Sequence, residues 1–176
     1  PACFEVERRV TEAVDIPVFH DDQHGTAVVV GATFLNATKV TGKAPSEIKV
    51  VVCGAGAAGV ACTSALLDLG VGDVIACDRS GAIYRGRDGL TPSKQWLANA
   101  TNKNNFSGSM KDALVGADMF LGLSGPNLLR GDEMRVMAKN PIIFALSNPT
   151  SEVPPEEVAD FASVVATGRS DYPNQI

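Results

Sequence analysis

Residues 50–59, "VVVCGAGAAG", join a short apolar run to a glycine-rich segment. A continuous apolar run bounded by glycine is typical of a strand that is buried on both faces. Most of the residues after it are small or apolar through Leu69, and Gly70 follows as a helix terminator. This stretch therefore predicts a strand over residues 48–53, a tight glycine turn and a helix.

The rest of the chain alternates in the same way. Further apolar runs predict strands at residues 74–77, 119–123, 142–146 and 164–166. Helices are predicted at residues 4–14, 27–40, 93–100, 109–114 and 132–138, with a last short helix opened by residues 154–157. Short apolar strands alternating with helices predict an α/β fold, a doubly wound, Rossmann-type and mostly parallel sheet with helices on both faces. We expect one domain over residues 1–176, with a lead-in segment at 1–25 and the core at 26–176.

Composition excludes several classes of function. The 176 residues are 45% hydrophobic and 20% charged, and no apolar run reaches the roughly 18 residues that span a membrane. The net charge of -5 disfavours nucleic acid as a partner, although a chain with this net charge can still carry a local basic patch. Four cysteines without paired spacing indicate reduced core thiols, and charged residues near the N-terminus argue against a signal peptide. We therefore expect a cytoplasmic protein with no membrane partner.

The glycines follow the spacing Gly-x-Gly-x-x-Gly between a predicted strand and a predicted helix. In that context the first glycine permits the turn, the second lets the backbone approach a pyrophosphate, and the third lets helix and strand pack closely. Free N–H groups at the helix N-terminus then bind the anion. The alternative is a glycine turn with no ligand. The candidate cofactor-binding residues of the loop are Gly54, Gly56, Ala57, Ala58 and Gly59.

Asp78 ends the second predicted strand, 24 residues after Gly54. An acid near this distance binds the adenosine ribose hydroxyls of a dinucleotide, and its charge repels a 2'-phosphate. Asp78 therefore favours NAD. Arg79 beside it can accept a 2'-phosphate, so NADP stays open.

A second motif lies near the N-terminus, in "FHDDQHGTAVVV" at residues 19–30. His20 and His24 have the spacing of a helical zinc-protease signature with Asp in place of Glu. Pro17 upstream and the pair Gly25-Thr26 downstream argue against one helix through both histidines. We predict a loop here, followed by a helix from residue 27. The chain has no third histidine, which also disfavours a zinc hydrolase.

Five segments in order, "VFHDDQHGTAVV", "VVCGAGAAGVA", "CDRSGAIYRGR", "FALSNPT" and "VVATGRSDYPNQ", resemble successive signatures of the malic enzymes of the short bacterial type. The resemblance runs through almost the whole chain. It implies oxidation of malate with NAD or NADP, decarboxylation to pyruvate and CO2, and a requirement for Mg2+ or Mn2+. It also implies a homo-oligomer, a dimer, for the full-length protein.

The resemblance assigns roles to three residues. It implies that Asp22 is a metal ligand and that Asp21 assists catalysis, electrostatically or in proton transfer. The alternative for both is a solvated acidic pair at a helix N-terminus. Asn148, in "FALSNPT", is implied to contact the substrate, and its alternative is a simple turn. For Arg87, contact with the cofactor, a local ion pair and surface solvation all stay open.

The family's general-acid Tyr, general-base Lys and two further acidic metal ligands have no matching positions in this chain. The chain also begins without a start methionine. We therefore interpret it as the cofactor-binding domain with part of the metal site, inactive alone, the N-terminal catalytic domain being absent. Two alternatives stay open: a metal-dependent oxaloacetate decarboxylase of the same family, and a non-catalytic dinucleotide-binding module.

Overall fold

A single sheet of six strands organises the structure, a computed structural model that describes residues 2–176. The strands are β1 (Lys49–Cys53), β2 (Asp73–Asp78), β3 (Gly81–Ala82), β4 (Met119–Gly122), β5 (Ile142–Ala145) and β6 (Val164–Thr167). The order across the sheet is β3-β2-β1-β4-β5-β6, and all neighbours are parallel except β2 and β3. The predicted doubly wound, mostly parallel sheet is confirmed.

Helices connect the strands and lie on both faces of the sheet. They are α1 (Ala2–Ala13), α2 (Asp21–Thr41), α3 (Ala57–Asp68), α4 (Pro92–Ala100), α5 (Met110–Ala113) and α6 (Gly131–Met134). Two single 3-10 turns, Pro45–Glu47 and Pro155–Glu157, complete the elements. The last short helix predicted from the Pro-Pro-Glu-Glu segment is present as the second of these 3-10 turns.

Apolar strands bury side chains on both faces because successive side chains of a strand alternate. Val50 and Val52 of β1 face the core formed with α2, α3 and α4. Val51 and Cys53 face the opposite core, formed with α5 and α6. This double burial explains why β1 reads as a continuous apolar run rather than as an alternating one.

The predicted loop at residues 20–26 is wrong. Helix α2 begins at Asp21, and His20 occupies its N-cap position with its carbonyl accepting hydrogen bonds from the N–H groups of Gln23 and His24. Asp21 and Asp22 lie in the first turn, where acidic groups are stabilised by the helix dipole. Gly25 lies inside the helix, and a Cβ at this position would overlap the Asp21 carboxylate.

The predicted helix at residues 132–138 is also too long. α6 ends at Met134, because the backbone beyond it bonds to a neighbouring segment. The carbonyl of Val136 accepts from Gly116, and the N–H of Ala138 donates to Ala117, each at 2.9 Å. These two tertiary hydrogen bonds replace the intrahelical bonds that a longer helix would make.

Candidate functional site

The order of the strands reverses between β1 and β4, and a cleft opens at their carboxyl ends. In open parallel sheets this switch point is where ligands bind. One cavity of about 670 Å³ and an adjoining one of about 420 Å³ lie here. Both are lined by Gly54, Asp78, Arg79, Ser80 and Ser124. The fold therefore places most of the predicted cofactor-binding residues around one cleft.

The glycine loop has the geometry that the sequence predicts. Gly54 has φ of 126°, and a Cβ on it would lie 2.5 Å from the carbonyl oxygen of Leu123. A Cβ on Gly59 would overlap the carbonyl oxygen of Gly54, so helix and turn can approach only without it. Gly56 differs, because a Cβ there would meet nothing within 4 Å. Its missing side chain leaves the N-terminus of α3 open to an incoming group.

Gly56 is also the N-cap residue of α3, with Ala57, Ala58 and Gly59 forming the first turn. The N–H groups of a first helical turn have no intrahelical acceptors, and the helix dipole adds positive potential. No acidic side chain lies in this first turn to compensate them. The loop therefore offers the open space and the free N–H donors that binding of a pyrophosphate would need.

Asp78 lies at the end of β2 and is bound by two cations. Nη2 of Arg87 donates to both carboxylate oxygens at 2.7 and 2.9 Å, and Nζ of Lys94 donates to Oδ2 at 2.6 Å. The N–H of Ser80 donates to Oδ1 at 2.9 Å. Burial acts to raise the pKa of Asp78, but the bonds from Lys94, Arg87 and Ser80 together outweigh it, and the pKa lies below its ordinary value.

These ion pairs change the electrostatics expected from the sequence. Asp78 carries one negative charge, whereas Arg87 and Lys94 carry two positive charges next to it. The repulsion of a 2'-phosphate by Asp78 is therefore offset by its own partners. Of the three roles left open for Arg87, the structure shows the local ion pair. The contact of Lys94 with Asp78 was not predicted from the sequence. No sequence pattern links Lys94 to an aspartate 16 residues before it.

The acidic pair lies apart from this cleft. The side chain of Asp22 is 92% exposed, and Nε2 of His20 lies 3.9 Å from its Oδ2. Nε2 of His24 instead contacts Oε1 of Glu7 at 2.6 Å. Within residues 2–176 no three His, Cys, Asp or Glu side chains converge on a common point. A hard cation requires about six oxygen ligands, so the described residues do not form a complete cation site.

Asn148 follows β5 and is exposed, with a cis peptide bond to Pro149. Its Nδ2 lies 3.4 Å from the carbonyl oxygen of Gly168. Neither Asn148 nor the acidic pair lines the two cavities at the switch point. The structure thus brings most of the predicted cofactor-binding residues to the cleft but leaves the predicted metal and substrate residues outside it.

The sequence also gave no signal for Glu152, a carboxylate with 0% exposure. It accepts hydrogen bonds from the N–H groups of Ser124 and Ser147, in the loops after β4 and β5. Burial raises the pKa of Glu152, and its backbone hydrogen bonds oppose that rise. In the segment "SNPTSEVPP" this acid resembles any polar turn residue.

The family described as "Malic enzyme, NAD binding domain" matches residues 23–173. The chain belongs to the malic enzyme family. An NAD-dependent malic enzyme of Geobacillus stearothermophilus is 52% identical over the whole chain, which covers 37% of that protein. An NADP-dependent malic enzyme of Halomonas elongata is 44% identical, again over the whole chain and 42% of that protein.

Solved malic enzymes have the same fold. The crystal structure of the NAD-dependent malic enzyme of Thermotoga maritima matches with a TM-score of 0.96 and 48% identity, covering 100% of this chain and 48% of that one. The chain therefore spans less than half the length of these relatives. It corresponds to the malic enzyme domain that binds NAD or NADP. Among residues 2–176, no helix is long and apolar enough to cross a bilayer.

Proposed function

We propose that this chain is the coenzyme-binding domain of an enzyme that oxidises and decarboxylates malate to pyruvate and CO2, using NAD or NADP. The observation that carries the proposal is the cleft at the β1/β4 switch point, where Gly56 leaves the N-terminus of α3 open. The family match supports the reaction class. The continuous sheet, with a core on each face, supports a single domain.

The residues of the cleft would bind and orient the dinucleotide. The N–H groups of Ala57, Ala58 and Gly59 would hold the pyrophosphate, and the carboxylate of Asp78 would accept from the ribose hydroxyls. Arg87 and Lys94 hold that carboxylate in place. A bound nicotinamide ring supplies the hydride acceptor for oxidation of a hydroxyl group.

The choice between NAD and NADP follows from the same residues. We propose NAD as the preferred coenzyme, because Asp78 stands where a 2'-phosphate would lie and its charge repels one. The preference is moderated by the ion pairs with Arg87 and Lys94. Arg79 is exposed at the rim of both cavities and offers a guanidinium to a phosphate.

Three further roles belong to the proposal. Asp22 would provide one oxygen ligand to Mg2+ or Mn2+, and its exposed carboxylate is chemically suited to a hard cation. Asp21 would assist catalysis, and its exposed carboxylate lies over Gly25. Asn148 would contact the substrate from the carboxyl end of β5, the edge at which such sheets bind ligands. No complete cation site exists among residues 2–176, so we assign no reaction step to the metal.

Binding of NADH tests whether the cleft at Gly56 holds the coenzyme. In the protein that contains this chain, Gly56→Val should raise the dissociation constant for NADH by about tenfold or more, because its side chain would occupy the approach to α3. The fold should survive, since Gly56 has an extended backbone and open space around its Cβ position. Calorimetry measures the affinity, and thermal melting checks the fold. A folded Gly56→Val variant with unchanged NADH affinity would overturn the assignment of the cleft.

A further inference from the structure

Among the Asp, Glu, Lys, Arg and His side chains of residues 2–176, only that of Glu152 is fully buried, and no cation pairs with it there. Burying a carboxylate is costly unless hydrogen bonds satisfy it. If this position only filled space, an apolar residue would fill it at lower cost. The bonds that Glu152 makes must therefore explain its presence.

Those bonds join two loops at the carboxyl edge of the sheet. Oε1 accepts from the N–H of Ser124 at 2.9 Å, and Oε2 accepts from the N–H of Ser147 at 3.1 Å. Ser124 follows β4 and lines both cavities of the coenzyme cleft. Ser147 follows β5 and immediately precedes Asn148. One carboxylate thus fixes the spacing between the loop at the coenzyme cleft and the loop that carries Asn148.

The backbone of the same residue holds the far end of the first loop. The carbonyl oxygen of Glu152 accepts from Leu128 at 2.8 Å and from Leu129 at 3.0 Å, and that of Ser151 accepts from Asn127 at 2.9 Å. The loop after β4 is therefore attached at both ends to residues 151–152. Between these attachments lies its cleft-lining segment, residues 124–126.

The end of β4 is shaped to accept this carboxylate. A Cβ on Gly122 would lie 2.5 Å from both Cδ and Oε2 of Glu152. Any larger residue at position 122 would displace the carboxylate from the two N–H groups. Gly122 and Glu152 therefore form one unit, in which the absent side chain of one provides the space for the other.

We propose that Glu152 is a positioning residue for coenzyme binding, which sets the loop of residues 124–126 against the cleft and ties it to the loop of Asn148. The inference rests on the proposed function and adds to it a residue that does not itself touch the coenzyme. Glutamine cannot replace it, because its amide offers one acceptor oxygen and would point its NH2 group at the other N–H donor. Gly122→Ala should also weaken coenzyme binding, because its methyl group would displace the Glu152 carboxylate.

The test uses the complete enzyme with three variants, Glu152→Gln, Gly122→Ala and the control Glu157→Gln. Glu157 serves as the control, because its carboxylate is exposed and also accepts from a backbone N–H, that of Gly131 at 2.7 Å, but away from the cleft. Glu152→Gln and Gly122→Ala should each raise the dissociation constant and KM for NAD by about tenfold, the equivalent of about one hydrogen bond. The kcat at saturating coenzyme should change much less. Glu157→Gln should leave coenzyme affinity within about twofold while lowering the melting temperature.

Unchanged coenzyme affinity in a folded Glu152→Gln enzyme, with only the melting temperature lowered, would show that Glu152 is purely structural. If Glu152→Gln does not fold, Gly122→Ala decides by the same criterion, and failure of both to fold overturns the positioning role. If the wild-type enzyme binds neither NAD nor NADP, the proposed function itself is refuted. If the wild-type enzyme binds the coenzyme and the variants bind it equally well, only this inference is refuted.

Discussion

Replacing Asp78 by alanine in the complete enzyme should shift coenzyme preference from NAD toward NADP. The substitution removes the acceptor for the ribose hydroxyls and the negative charge that repels a 2'-phosphate. It also releases Arg87 and Lys94, which contact the Asp78 carboxylate at 2.6 to 2.9 Å. Both cations then become free to bind a 2'-phosphate.

Coulomb's law sets the size of the shift. A phosphate dianion about 6 Å from a unit charge interacts by about 1.4 kcal/mol at the permittivity of water, and by more where the site is partly buried. The side chain of Asp78 is only 11% exposed, so screening by solvent is incomplete. The ratio of kcat/KM for NADP to that for NAD should therefore rise by about 10-fold to 30-fold, since about 1.4 kcal/mol corresponds to tenfold.

Steady-state kinetics with both coenzymes at fixed malate and Mn2+ measure this ratio. Asp73→Ala is a matched control, because Asp73 begins the same strand, β2, at the edge opposite the cleft. The control should leave the ratio within about twofold. A ratio that stays the same in Asp78→Ala would refute the reasoning, because the charge at the end of β2 would then not select the coenzyme.

Further predictions concern the acidic pair, the pH dependence of stability and the thiols. Asp22→Ala should abolish Mn2+-dependent malate oxidation in the complete enzyme. Its NADH affinity should stay within about twofold of wild type, because Asp22 does not line the coenzyme cleft. Activity assays and calorimetry measure the two effects, and a fully active variant would contradict the metal role. The pKa of Asp78 is lower in the folded protein than its ordinary value of 3.8, so Asp78 adds stability above about pH 4 and loses that contribution as the pH falls through the lowered pKa. Urea unfolding between pH 6 and pH 3 should show the difference between wild type and Asp78→Asn shrinking with acid, and a constant difference would contradict the linkage. Burial raises the pKa of the Cys53 thiol to about 11 and those of Cys62 and Cys77 to about 12. Alkylation at pH 8 followed by peptide mapping should find these three thiols protected until the protein is unfolded, and rapid native labelling would contradict the burial.

Local pattern predicted the strands well. The five predicted strands each differ from the observed bounds by one residue or less at either end, because burial on both faces requires continuous apolar runs. The short β3 was missed, since two residues, Gly81 and Ala82, carry no periodicity. The glycine turn was predictable for a similar reason, because the positive φ of Gly54 and the close approach of Gly59 to the Gly54 carbonyl exclude side chains within the turn itself.

The start of α2 shows where local reasoning failed. Pro17 and the pair Gly25-Thr26 suggested a loop, because proline and glycine are poor helix formers. In the structure Gly25 accommodates the carboxylate of Asp21 one turn earlier, and His24 contacts Glu7 of α1. Both contacts favour the helical conformation of α2 at residues whose intrinsic helix propensity is low.

By itself the sequence determined the fold class, the glycine loop and the family, since each depends on short patterns of neighbouring residues and on the order of those patterns along the chain. Only the tertiary structure decided the electrostatics of the site. Lys94 reaches Asp78 across 16 residues, and Glu152 reaches Ser124 across 28. A charge acts through distance in space and through burial, and the path of the chain between two such residues leaves no pattern in the sequence. The ion pairs around Asp78 and the buried carboxylate between the two loops are therefore properties of the assembled sheet edge.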